Sequence, residues 1–319
     1  MYPKDCLYWY PSILPSIQSP LGALPARFRR NRLLIVGCGD IGLRVVGLLA
    51  HKFTLRVLTS QPTRVPALRS ARTTPLLGNL DQANTLSRLA GLAPRVLHLA
   101  PPAGHGTRDG RTLALLRALS LRAAPSVLVY ASTSGVYGDC AGAWVDEVRA
   151  LAPTTARAQR RVDAEASVRF FGRAARVRTS VLRVPGIYAP NREGGTPLAR
   201  LRNGTPVLDA ADDVYTNHIH ADDLARACVL ALWRGKPQRA YNINDDAALK
   251  MGDYFAAAAA LYGLPVPPRI SRAQAEREIS PMQLSFMSES RRMVNTRMKL
   301  ELGLRLHFSH VLDGLAASA

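Results

Sequence analysis

The stretch LLIVGCGDIGLRVVGLLAHK, residues 33–52, constrains the fold more than any other part of the chain. A short, continuously apolar run leads without a break into three glycines, Gly37, Gly39 and Gly42, in G-x-G-x-x-G spacing. An amphipathic helix is expected to follow, with Ile41, Val45, Leu48 and Leu49 on one face, Asp40 early, and His51 and Lys52 at its end to suit the dipole. In that order each glycine has a use. The first makes a tight turn, the second lets backbone approach a pyrophosphate, and the third packs helix on strand. The pyrophosphate would rest on the helix N-terminus, so the loop contacts expected are Gly37, Gly39, Asp40, Ile41 and Gly42. A glycine-rich turn without a ligand is the plainer alternative.

Four more apolar runs of strand length recur at 55–60, 95–100, 126–132 and 178–184, with helical stretches between them. Strands buried on both faces look like this, and the alternation implies an α/β fold, a Rossmann-type doubly wound parallel sheet. After Pro185 the turn-rich stretches NREGGTP and LRNGTPVLDAADD loosen the rhythm, and helices follow. The organisation expected is an N-terminal extension over 1–30, a dinucleotide-binding domain over 31–185, and a smaller C-terminal substrate lobe over 186–319. Parts of 213–245 are expected to return to the sheet.

The extension is rich in proline and lacks an apolar core followed by a small-residue cleavage site, so it reads poorly as a signal peptide. No stretch reaches the roughly 18 apolar residues of a membrane span. Cys6, Cys38, Cys140 and Cys228 are far apart and form no C-x-x-C pair, which fits a reducing cytoplasm better than a disulfide framework or a zinc site. The net charge of +19 comes from 37 arginines and 5 lysines spread along the chain. A nucleic-acid footprint is usually clustered, so general arginine enrichment explains this charge better.

A carboxylate to hold the NAD ribose is expected about 20 residues beyond the glycines. Leu58, Thr59 and Ser60 stand there instead, with Arg64 close by. Taken alone, Arg64 reads as a solvated loop charge. With no carboxylate to repel a phosphate, NADP fits at least as well as NAD.

The block ASTSGVYGD at 131–139 resembles the extended short-chain dehydrogenase/reductase family, the NAD-dependent epimerases and dehydratases. Further segments agree in order: HLA at 98–100, LRVPGIYAP at 182–190, NHIHADDLA at 217–225 and YNIND at 241–245. The resemblance spans about 31–315. It implies cofactor contacts at Thr59, Arg64, Leu80, Ala100 and Pro185, and at Asn79, where the family usually has an aspartate on the adenine. It also implies that Thr133 hydrogen-bonds the reacting oxygen.

The family pattern P-x-[ST]-x-Y-x-x-x-K-x-x-x-E aligns on Pro153, Thr155 and Glu165, which puts Arg157 at the tyrosine position and Arg161 at the lysine position. None of the ten tyrosines has a lysine four residues on, so the motif is absent rather than displaced. A guanidinium is no acid or base near neutral pH, and general acid/base work is worth roughly 10²–10⁴ in rate, so an unaltered family mechanism is excluded. Ser134 and Gly135 stand where dehydratases carry an Asp-Glu pair, which makes elimination the least expected reaction. Arg161 retains donors for a ribose hydroxyl.

Tyr137, Asp139 and Cys140 follow Thr133 closely and are candidate substitute proton carriers, although Tyr137 is more simply a residue packed under the cofactor loop. His218, His220, Asp222 and Asp223 suggest a metal less well than a structural loop near the cleft. The reading is a divergent oxidoreductase or epimerase with Thr133, Arg157 and Arg161 in its cleft, binding NAD or NADP and a small anionic molecule. A homodimer is left open. The competing reading is a non-catalytic redox sensor.

Overall fold

A computed structural model describes residues 31–317. Seven parallel strands form one sheet: β1 (Arg32–Val36), β2 (Thr54–Thr59), β3 (Thr74–Leu77), β4 (Arg95–His98), β5 (Val127–Thr133), β6 (Arg178–Val184) and β7 (Arg239–Asn242). Their spatial order is β7-β6-β5-β4-β1-β2-β3. The helices that position the site are α1 (Asp40–Leu49), α2 (Gly110–Ser120), α3 (Ala156–Ala174), α4 (Ala221–Arg234) and α5 (Met251–Leu261).

Side chains alternate across a strand. Leu33 and Ile35 of β1 therefore enter one core with Val45 and Leu49 of α1 and Leu224 and Ala227 of α4. Leu34 and Val36 enter the opposite core with Leu115 and Leu116 of α2 and Val168 and Phe171 of α3. Both faces are covered, which is why these runs carry so little polarity. A separate core forms the smaller lobe, where Tyr254, Phe255, Ala258 and Ala259 of α5 meet Tyr188, Leu201 and Val311.

Two expectations for α1 need correction. Its buried stripe is Gly42, Val45, Val46 and Leu49, whereas Leu48 faces outward, half exposed. The helix ends at Leu49 with no basic residue in its last turn, so His51 and Lys52 lie beyond it. The strand runs missed β3, whose sequence TPLL has no buried residue and holds Pro75, tolerable because β3 is the sheet edge. Among the described residues no helix is long and apolar enough to cross a membrane.

Asp245, just beyond β7, is 1% exposed; its Oδ1 accepts the Ala247 N–H, and its Oδ2 has no hydrogen-bond partner among the described residues. Burial pushes this carboxyl up to about 8, against the downward pull of the Ala247 N–H. Between the unfolded value near 3.8 and about 8, the native state holds a proton that the unfolded chain has lost, so stability falls as pH rises across that window. Asp245→Asn removes the ionisation. Urea unfolding at pH 5 and pH 8 should show the parent losing about 2 kcal/mol or more relative to the variant, since each pKa unit is worth about 1.4 kcal/mol. Parallel losses in both proteins would show that Asp245 is already ionised when folded.

Candidate functional site

The sheet order reverses between β1 and β4, and such a switch point opens a crevice at the carboxyl ends of the strands. Here it is a cleft of about 530 Å³. Gly37 ends β1 at φ +86°, and a Cβ there would lie 2.4 Å from the backbone nitrogen of Ala100 beyond β4, so only glycine fits by conformation and by space. Gly39 is different: a Cβ there would meet nothing within 4 Å, so the protein itself does not require glycine at this position. Its bare backbone opens the cleft onto α1. Gly39 gives α1 no side-chain cap, which leaves the first-turn N–H groups for an anion in the cleft. Gly42 packs closely, with its would-be Cβ 3.0 Å from Cys38 Sγ.

Gly37, Gly39, Asp40, Ile41 and Gly42 all line this cleft. Thr59 and Arg64 line it from the end of β2, and Asn79, Leu80 and Ala100 from the ends of β3 and β4. Arg64 is not a solvated loop charge. It is half-buried, and its Nη2 donates to the Cys38 carbonyl at 2.6 Å, which holds the guanidinium against the glycine loop. Gln61, Arg111 and Arg192 also line the cleft and escaped sequence reasoning. Arg111 belongs to α2 and Arg192 to a loop some 150 residues beyond the glycines, so no local pattern marks either. Arg111 pairs with Asp81 at 2.6 Å and, as the main cause, holds that carboxyl below its ordinary range.

A second cavity, of about 350 Å³, is lined by Thr133, Ser134, Arg157, Pro185, Tyr215 and Glu289, among others. Pro185, expected beside the cofactor, lines this cavity and not the cleft. Arg161 lines both. Its Nη1 donates to the Ala131 carbonyl at 2.8 Å and to Tyr130 Oη at 3.0 Å, fixing the guanidinium on the dividing wall at the end of β5. Arg157 is exposed, with Cζ 4.7 Å from the centre of the Phe286 ring. Glu289 accepts from Thr154 Oγ1 and from Arg291 Nη1, each at 2.8 Å. Both of its oxygens are thus engaged. Residues 285–291 had no motif and reach the cavity only through the tertiary fold.

The model of the NAD-dependent epimerase/dehydratase family matches residues 33–244. The chain belongs to the NAD-dependent epimerase/dehydratase family. Among solved structures, a functionally unknown conserved protein from Silicibacter pomeroyi is similar at 31% identity and TM-score 0.75, covering 90% of this chain and 97% of that one. UDP-glucose 4-epimerase from Thermotoga maritima, solved with UDP-glucose, is similar at 19% identity and TM-score 0.73, covering 89% and 96%. A dTDP-glucose 4,6-dehydratase from Streptomyces venezuelae, solved with NAD bound, is similar at 22% identity and TM-score 0.72, covering 90% and 95%. At those identities the last two likenesses speak for the fold alone. No curated protein matches the chain.

Within this epimerase/dehydratase fold the candidate substitute proton carriers are placed elsewhere. Tyr137 does not pack under the cofactor loop; it is buried with Val136, Cys140, Val145 and Met293. Its hydroxyl donates to Asn242 Oδ1 at 2.6 Å and accepts from Arg183 Nη1 at 2.9 Å. Burial pushes the phenol up to about 12 against the pull of Arg183. Asp139 accepts the N–H groups of Ala141 and Ser290, and neither it, Cys140 nor Tyr137 lines the cleft or the second cavity. The HIHADD residues serve the lobe junction: His218 stacks on Tyr254 at 4.4 Å, His220 Nδ1 caps α4, and Asp223 accepts the His307 and Phe308 N–H groups.

Glu165, the last residue of the aligned pattern, does most to shape the site from behind. It forms a bidentate pair with Arg183 of β6, at 2.9 and 3.2 Å, and accepts from Ser132 Oγ at 2.7 Å, with both charged side chains 2% exposed. This holds α3, which carries Arg157 and Arg161, against the ends of β5 and β6.

Proposed function

We propose that this protein binds NADP or NAD in the 530 Å³ cleft and acts as an oxidoreductase or epimerase on a small anionic metabolite held in the second cavity. The observation that carries this reading is Arg161, the residue shared by the two cavities: a ligand in the second would abut a cofactor in the first. A bound nicotinamide would give or take a hydride at that junction. Thr133 carries a hydroxyl there, its oxygen taking the Gly135 N–H at a long 3.4 Å, and can donate to a substrate oxygen. Arg157 and Arg161 offer guanidinium donors to a carboxylate or phosphate. Arg157 cannot move a proton near neutral pH, so this chemistry would need another proton carrier.

That last point favours a second reading, a non-catalytic redox sensor. Calorimetric titration with NAD⁺, NADH, NADP⁺ and NADPH at matched salt separates the two. Similar affinity for both redox states followed by turnover with anionic carbonyl compounds supports the enzyme. Strong preference for one redox state with no nicotinamide absorbance change supports the sensor. Arg64→Leu should weaken NADPH about tenfold or more and leave NADH unchanged, because only the 2′-phosphate needs that cation. Equal effects on both would exclude Arg64 as the phosphate contact.

A further inference from the structure

Asp40 raises a difficulty for a phosphate ligand. It is an acid in the first turn of α1 and lines the cleft beside the N–H groups that would face a pyrophosphate. Left alone, it would repel that ligand. It is instead neutralised by Arg44 one turn on, at 3.1 Å, and by Arg192, at 2.6 Å.

Arg192 sits on a loop that closes on itself through the Ala189 N–H to Gly195 carbonyl bond and the Gly195 N–H to Arg192 carbonyl bond. These bonds use the backbone of Arg192 and leave its side chain out. The neighbouring Asn191 Oδ1 accepts from Arg44 Nη2 at 2.6 Å, and Arg44 is bound in turn to Asp222. With the loop anchored through Asn191, the ion pair between Arg192 and Asp40 is free to change partner. Arg111, which also lines the cleft, is clamped to Asp81 through both Nε and Nη2, at 2.7 and 2.6 Å.

We propose that Arg192 is a ligand of the dinucleotide pyrophosphate, held in place by Asp40 until the nucleotide arrives and then shared with or passed to the phosphates. The proposal rests on the dinucleotide reading of the cleft. A guanidinium on the loop that docks against the start of α1 would add charged donors to the helix N–H groups that face a dianion.

The test is calorimetric titration of NADPH, NADH and ADP-ribose, all of which carry the pyrophosphate, into the full-length parent, Arg192→Gln, Arg192→Lys and Asp40→Asn, with thermal melts of each. Arg192→Gln should bind all three ligands about tenfold or more weakly, with reduced salt dependence, and Arg192→Lys should recover part of the loss. Asp40→Asn should bind at least as tightly as the parent, because a competitor for Arg192 and a repelling charge are both gone. If Arg192 is merely a tie to Asp40, both substitutions lose the same contact and weaken binding alike, and the proposal is overturned. Unchanged affinity in Arg192→Gln overturns it too. A parent that binds none of the three ligands defeats the dinucleotide reading itself, which is a separate result.

Discussion

A Gly39→Val variant should melt where the parent does and bind no dinucleotide at millimolar concentration. The position is exposed, and a Cβ added there meets no protein atom within 4 Å, so a side chain has room without displacing the native fold. The branched side chain would fill the space in front of the α1 N–H groups, where the pyrophosphate is expected. Gly37→Ala makes the opposite case. Its Cβ would sit 2.4 Å from the Ala100 backbone in a conformation with φ +86°, so it should lower stability by several kcal/mol, on the order of the cost of strain plus a backbone clash. Circular dichroism melts alongside calorimetry separate the two. A Gly39→Val protein that still binds NADPH or NADH would place the nucleotide elsewhere.

Removing one partner of the buried pair behind the site should also cost the fold heavily. Glu165→Ala leaves the Arg183 guanidinium buried and half-partnered, and it strips Ser132 of its acceptor. Breaking a buried pair from one side typically costs about 3–5 kcal/mol, because the remaining charge has lost its water as well as its partner. Arg183 also bonds Tyr137 and the Glu147 carbonyl, so Glu165→Ala with Arg183→Met should be less than the sum of the two single losses. Urea unfolding of the two singles and the double gives the coupling. A loss below about 1 kcal/mol for Glu165→Ala would mean that Arg183 keeps access to solvent or to another anion.

Much of the sheet was legible in the chain because its strands are buried on both faces. The runs at 33–37, 55–60, 95–100, 126–132 and 178–184 lie within a residue or two of β1, β2, β4, β5 and β6. β3 was not legible, since an edge strand with two exposed ends carries no apolar run. α1 was legible as a helix but its buried face was misjudged by one position, because the stripe is set by α4 packing beside it and not by the helix alone. Arg64 looked like a solvated charge because its partner is a backbone carbonyl in the glycine loop, which has no side-chain signature.

By itself the sequence determined the order of strand, glycine loop and helix, since these are local patterns of apolarity and backbone freedom. It also determined that no tyrosine stands at position 157, a matter of residue identity alone. Only the tertiary structure decided that Pro185 lines the second cavity, that Tyr137 is locked away by Arg183 and Asn242, and that Arg111 and Arg192 face the cleft. Those side chains meet their partners across tens to more than a hundred residues, and contacts of that range depend on how layers pack, which no spacing along the chain records.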